Sequence, residues 1–259
     1  MKTNIQVVKI GGYIINDDKL LEAFLKEFSK IEAPKILVHG GGKIATTLAG
    51  KLGVQPQFIN GRRITSCEDL DIVTMVYAGL INKKIVAQLQ AMGCNAIGLS
   101  GADANCLLSR KRPVQPVDFG WVGDIINVNF EHILQYLSHD ITPVFCAITH
   151  DGKGQLLNTN ADTVAAQISI SVGNHCTTHL TYCFEKPGVL TDIDDENSVI
   201  ARINWKNYQE LKDSRMISEG MLPKLENCFH ALKNNVSKVM VGNIGMLSKE
   251  NLGTKVTWL

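Results

Sequence analysis

Short runs of β-branched and aliphatic residues alternate along the chain with longer stretches whose apolar positions recur every three or four residues. Ile5–Ile10 reads as a strand. Asp17–Ile31 follows with Leu20, Leu21, Phe24, Leu25 and Phe28 on one face of a helix. Lys35–His39 predicts a second strand and Lys43–Leu52 a second helix, stopped by Gly53. The rhythm continues with a helix near Asp69–Met92, a strand near Ala96–Leu99, a helix near Phe130–Leu137 and a strand near Thr142–Ile148. A helix near Asp162–Val172, a strand near Thr178–Tyr182, a helix near Pro223–Lys233 and a strand near Lys238–Val241 complete it. This alternation predicts an α/β fold, a three-layer αβα sandwich around a mostly parallel open sheet. Ligands of such sheets bind at the carboxyl ends of the strands. Ile59–Ser66 and Cys106–Val122 interrupt the pattern and read as turns or hairpins over the sheet edge, and Gly152-Lys153-Gly154 as a hairpin turn. No linker composition marks a boundary, so a division near Gly173 means two lobes sharing one sheet.

Composition narrows the class. Of 259 residues, 45% are apolar and 20% charged, which excludes a mainly disordered chain. The net charge of +1 gives no field to draw the protein onto nucleic acid, and Arg110-Lys111-Arg112 reads as solvated loop. Thr163–Phe184 carries no charge but is rich in Ser, Thr, Gln, Asn and His, a poor membrane span. The N-terminal apolar stretch is too short for a signal peptide. Seven cysteines, an odd number with no CxxC pair, point to free thiols in a reducing, cytoplasmic setting. His175, Cys176, His179 and Cys183 have metal-like spacing but read as packed side chains.

Two strands end in glycine clusters: Lys9-Ile10-Gly11-Gly12 and His39-Gly40-Gly41-Gly42, the second running straight into a helix. Successive glycines expose backbone N–H groups beside a helix N-terminus and make an anion nest, or simply a tight turn. Gly42-Lys43 is followed by Ile44 with no glycine five residues before Gly42, so this is no P-loop, and no GxGxxG occurs. The charged candidates are Lys9, Lys224 and Asp162. Lys224 opens a helix, where a cation opposes the helix dipole unless an anion binds beside it. Asp162 reads either as a helix N-cap or as a carboxylate orienting both lysines.

KIGG, HGGG, NGRRIT, LNTNAD and GMLPK stand in an order and spacing that resembles the N-acetylglutamate kinases, a branch of the amino-acid kinase superfamily, over nearly the whole chain. The resemblance implies the amino-acid kinase fold, with residues 1–173 as an N-terminal lobe for acylglutamate binding and dimerisation and residues 174–259 as a nucleotide lobe. It implies phosphorylation of the γ-carboxylate of N-acetyl-L-glutamate, or a close analogue such as N-succinyl-L-glutamate, by ATP with Mg²⁺, in arginine biosynthesis. Lys9 and Lys224 would stabilise the transferring phosphoryl group and Asp162 would position both. Gly41 and Gly42 would bind the substrate's reacting end, Arg63 its α-carboxylate and Asn158 its acylamino group. Gly11, Gly12 and Gly40 would approach the phosphates.

Three features depart from the family pattern. The segment Leu180–Val189 lacks the aspartate expected in the turn that meets the nucleotide, and the stretch from Val241 to Thr254 is abbreviated. Arg62 stands where an apolar residue is expected, either an exposed loop arginine or a partner for a second negative charge on the acyl group. The chain starts almost at the first strand, without the helix with which relatives form arginine-inhibited hexamers, so a homodimer insensitive to arginine is expected. Asp69–Met92, with Met75, Val76, Tyr77 and Leu80, supplies either its interface or core. Two other readings remain open: a sibling kinase acting on another small carboxylate or carbamate, and a non-catalytic amino-acid sensor of the same fold.

Overall fold

The computed structural model describes residues 4–59, 61–214, 217, 221–249 and 252–259. Asn60 of the NGRRIT motif and Gly220 of GMLPK lie outside the described residues. β1 (Asn4–Ile10) leads through the single turn α1 (Gly12–Ile15) to α2 (Asp18–Ser29). Asp17 caps α2, accepting from the amides of Lys19 and Leu20. β2 (Lys35–His39) and α3 (Gly42–Lys51) follow, then a hairpin of β3 (Gln57–Ile59) and β4 (Arg62–Ile64). The long helix read from the sequence is composite. α4 (Cys67–Thr74) passes into a π-helix (Met75–Ile81), which continues as α5 (Asn82–Ala91).

β5 (Ala96–Leu99) lies where the sequence predicts it. Within Cys106–Val122, read as turns or hairpins, β6 (Leu107–Lys111) pairs antiparallel with β7 (Gly123–Val128) beyond it. After α6 (Phe130–Ser138), the strand expected over Thr142–Ile148 breaks at Ala147 into β8 (Thr142–Cys146) and β9 (Ile148–His150). β9 turns back through β10 (Leu156–Asn158), and β10, β9, β6 and β7 form a small second sheet. α7 (Ala161–Gly173) and β11 (Thr177–Cys183) follow. Then come β12 (Arg202–Ile203), α8 (Trp205–Asp213), α9 (Leu222–Lys233), β13 (Lys238–Gly242) and β14 (Thr254–Val256). β12, α8 and β14 have no counterpart in the sequence reading; α8 is strongly polar, with Tyr208 as its buried residue.

The main sheet has eight strands in the order β12-β14-β13-β11-β1-β2-β8-β5. It is parallel from β13 to β5, and β14 and β12 run against the rest. β1 and β11 pair along their whole length, from Asn4 opposite Thr177 to Ile10 opposite Cys183. Side-chain alternation serves both faces. Val7, Ile36 and Leu180 pack against α6, α7 and α9 through Ile133, Val164 and Phe229, while Val8 and Leu37 pack with Phe24, Ala45 and Ile85 of α2, α3 and α5. Each such fully buried side chain contributes about 1.5–3 kcal/mol. This is the predicted three-layer sandwich.

β2 ends in His39, fully buried between these layers. Its Nδ1 lies 2.8 Å from the Gly40 carbonyl oxygen and its Nε2 3.0 Å from Asn82 Nδ2, an amide that also donates to the Val144 carbonyl at 2.9 Å. The network assigns the proton to Nδ1, which donates to Gly40, while Nε2 accepts from Asn82. Burial pulls the imidazole down to about 4. Between about 6.5 and 4 the unfolded chain binds this proton and the folded chain does not, so stability present above pH 6.5 is lost as pH falls. The full span corresponds to about 3 kcal/mol. Urea midpoints of the wild type are expected to drop over that interval by more than those of His39→Gln; parallel profiles would contradict the assignment.

Candidate active site

The carboxyl ends of β1 and β2 open on a cavity of about 920 Å³. It sits where the chain, starting from β1, goes first to β2 on one side and later to β11 on the other, the switch point at which open α/β sheets bind ligands. Lys9, the penultimate residue of β1, brings its Nζ within 2.6 Å of Asp162 Oδ1. Lys224, in the first turn of α9, donates from its Nζ to Asp162 Oδ2 at 3.0 Å. One carboxylate thus tethers two ammonium groups that lie far apart in sequence.

Asp162 is the second residue of α7 and not its N-cap. Asn160 caps that helix, its Oδ1 accepting from the amides of Asp162 at 2.8 Å and Thr163 at 3.1 Å. The helix N-terminus favours a carboxylate there, and the carboxylate offsets the unfavourable placing of Lys224 at the start of α9. Burial alone would raise the Asp162 carboxyl, but the charges of Lys9 and Lys224 outweigh it and hold the group well below the usual carboxylate range. Lys9 is shifted down, first by burial and further by Lys224, with Asp162 opposing. Behind them, Lys224 lies over the rings of Tyr182 at 5.3 Å and Phe184 at 6.0 Å. The Tyr182 hydroxyl donates to the Asp162 backbone carbonyl at 3.0 Å. The unusual segment after Leu180 therefore builds an aromatic wall behind the second lysine.

At the other side of the cavity, Arg63 on β4 is only 7% exposed. Its Nη1 donates to Asp69 Oδ1 at 2.8 Å, and its Nη2 to Thr46 Oγ1 at 2.6 Å and to the Gly42 carbonyl at 3.2 Å. The guanidinium also covers the Phe58 ring at 4.9 Å. Asn158 donates from Nδ2 to Thr65 Oγ1 at 3.0 Å, and its amide oxygen has no partner among the described residues. Gly12, Gly40, Gly41 and Gly42 line the cavity. Gly11 does not line it: its amide donates to the Cys183 carbonyl at 2.8 Å and knits β1 to β11. Gly41 has φ +154°, and a β-carbon there would collide with Ile81 Cδ1, so glycine is required.

The sequence reading missed Asp69, Thr46 and Tyr182. Asp69 carries a visible local signal: Ser66 caps α4 by accepting from the Asp69 amide, the spacing of an N-terminal capping motif. Its pairing with Arg63 has none. Arg62 and Arg112 also line the cavity; Arg112 is paired with Asp124, whereas Arg62 has no ionic partner among the described residues. The carboxylates lining it are Asp162 and Glu226, and Glu226 is engaged by Lys212 and Tyr208. The cavity is thus net positive, suited to a polyanion. It offers no cage for Mg²⁺, since both Asp162 oxygens serve lysines and no group of three or more His, Cys, Asp or Glu side chains among the described residues converges on one point. No helix among the described residues is long and apolar enough to cross a membrane.

Residues 4–243 match the model of the Amino acid kinase family. The chain belongs to that family. Amino acid kinase relatives with strong similarity include the acetylglutamate kinase of Cytophaga hutchinsonii, 50% identical over 92% of this chain and 90% of that protein. The acetylglutamate kinase of Phocaeicola vulgatus is 47% identical over 99% of both chains. Among solved structures, the carbamate kinase of Giardia lamblia bound to AMP-PNP superposes with a TM-score of 0.71 at 10% identity, covering 100% of this chain and 99% of that one, and thus shares the amino acid kinase fold.

Asp162→Asn removes the charge between two mostly buried ammonium groups. The variant is expected to lose about 3 kcal/mol in urea unfolding, and pyrophosphate should raise its melting temperature more than that of the wild type. Equal stability and equal pyrophosphate response would show that the lysines do not share this carboxylate.

Proposed function

We propose that the chain is an ATP-dependent kinase of the γ-carboxylate of an N-acyl-L-glutamate, N-acetyl-L-glutamate first, serving arginine biosynthesis. The observation that carries this reading is the convergence of Lys9 and Lys224 on Asp162 at the mouth of a glycine-lined cavity. Near-complete coverage of acetylglutamate kinases at about half identity supports the substrate class.

The γ-carboxylate, with an ordinary pKa of about 4.3, is ionised at neutral pH and needs no general base. His39, buried and bonded within the fold, is therefore not required for proton transfer. One carboxylate oxygen attacks the γ-phosphorus of ATP. As that O–P bond forms, the bond to the bridging β,γ-oxygen breaks and its electron pair leaves with ADP. The obstacle is charge, an anion approaching a polyanion. Lys9 and Lys224 neutralise charge on the moving phosphoryl group, and Asp162 fixes their positions before substrate arrives. Arg63 holds the α-carboxylate and Asn158 the acylamino group, while the N–H groups at Gly41 and Gly42, at the start of α3, face the reacting end. Mg²⁺ is expected to arrive on the nucleotide phosphates, and no step here is assigned to it. Residues 1–173 would serve the acylglutamate and residues 174–259 the nucleotide. Met75 and Leu80, both more than half exposed on the π-helix, support a homodimer through that face. Seven free thiols support a cytoplasmic setting.

A second reading of the acyl group follows from Arg62, a cation at the cavity without an ionic partner among the described residues. An acyl chain ending in a carboxylate, as in N-succinyl-L-glutamate, would meet it.

ADP release with N-acetylglutamate, N-succinylglutamate and carbamate, each with ATP, separates these readings. Lys9→Ala is expected to lower kcat by about 10²–10³-fold while leaving acylglutamate affinity within a few-fold. Equal loss of both would favour a sensor. Succinyl use at least tenfold better than acetyl use, reversed by Arg62→Leu, supports the second reading; equal or better use of N-acetylglutamate counts against it.

A further inference from the structure

Tyr77 lies within the π-helix and is 6% exposed. Its ring edge lies against Gly41, where a β-carbon would stand 3.1 and 3.2 Å from Cδ1 and Cε1. Its hydroxyl lies beside Gly42, 3.7 Å from the place of a β-carbon there. The side chain lines the cavity, and the hydroxyl has no hydrogen-bond partner among the described residues. The ring is packed away, and Tyr77 opens on the cavity, where its hydroxyl is free to meet a ligand. A π-turn is a rare element found frequently at functional sites.

The neighbouring charge defines what the hydroxyl can meet. Burial raises the Tyr77 pKa and outweighs the nearby Arg63 charge, which pulls it down, so the phenol stays an O–H donor at neutral pH. Arg63 itself spends three of its five N–H groups on Asp69, Thr46 and Gly42. Two remain for a ligand, whereas a carboxylate has room for about four donors. We propose that the Tyr77 hydroxyl donates a hydrogen bond to the substrate carboxylate bound by Arg63, making it a substrate-contacting specificity residue. This rests on the acylglutamate reading given above.

Tyr77→Phe removes one oxygen and keeps the ring against Gly41. Its melting temperature is expected to equal or exceed that of the wild type, because no internal hydrogen bond is lost. KM for the acylglutamate should rise about tenfold, with kcat and KM for ATP within about twofold, and titration calorimetry of the acylglutamate should show the same loss. Tyr77→Leu, which also removes the ring, should weaken acylglutamate binding further. An unchanged KM in Tyr77→Phe, from a wild type active on acylglutamate, overturns the proposal and leaves the kinase reading standing. A wild type that neither binds nor phosphorylates any acylglutamate overturns both.

Discussion

Two ammonium groups brought together in a partly desolvated pocket repel each other, and a fold that needs both must place an anion between them. Asp162 meets that requirement with its two oxygens facing different lysines. The constraint reaches outward from that carboxylate. The end of β1, the start of α7 and the first turn of α9 must converge to within side-chain reach, which fixes how α7 and α9 lie on the sheet. Tyr182 reinforces it by binding the Asp162 carbonyl while its ring faces Lys224. Lys224 is tolerated at a helix start that would otherwise repel it because the opposing charge is built in.

A second set of interactions shapes the other half of the pocket. The turn from β2 into α3 is anchored from below by neutral His39, whose tautomer is fixed by Asn82 at the end of the π-helix. The same π-helix presses Ile81 and Tyr77 against Gly41. Arg63 then ties β4 to the glycine turn through Gly42 and to α4 through Asp69. Strand end, glycine turn and π-helix therefore form one packed unit, and the cavity wall inherits its rigidity.

Much of this was legible in the chain. Parallel-sheet strands such as Lys35–His39 are buried on both faces and announce themselves by hydrophobicity alone. The motif residues are short, local and chemically loaded, and eight of the ten proposed site residues line the pocket; Gly11 lies in the β1–β11 seam and Lys224 reaches the site through Asp162. Other features escaped because they are set by partners distant in sequence. Asp162 read as either a cap or a carboxylate orienting two lysines, and only the fold shows that Asn160, two residues earlier, takes the cap. The π-helix is invisible to periodicity, since its residues MVYAGLI are apolar on every side and mark no face whose phase could be seen to shift. α8 carries too few apolar positions to signal itself, and β14 is a short strand whose pairing is decided by β13. Asp69 reads as an ordinary first-turn acid until Arg63 is folded onto it.

The unbroken pairing of β1 with β11 also has a mechanical meaning. Lys9 belongs to the first of these strands, whereas Lys224 belongs to α9, which packs on α7 and β13 through side chains, so the two halves of the phosphoryl clamp are mounted differently. Lys9 is held by backbone ladders to β11 and β2, and Lys224 by helix packing and by Asp162. Separating β1 from β11 would have to break that ladder, whereas a shift of α9 would cost only side-chain packing.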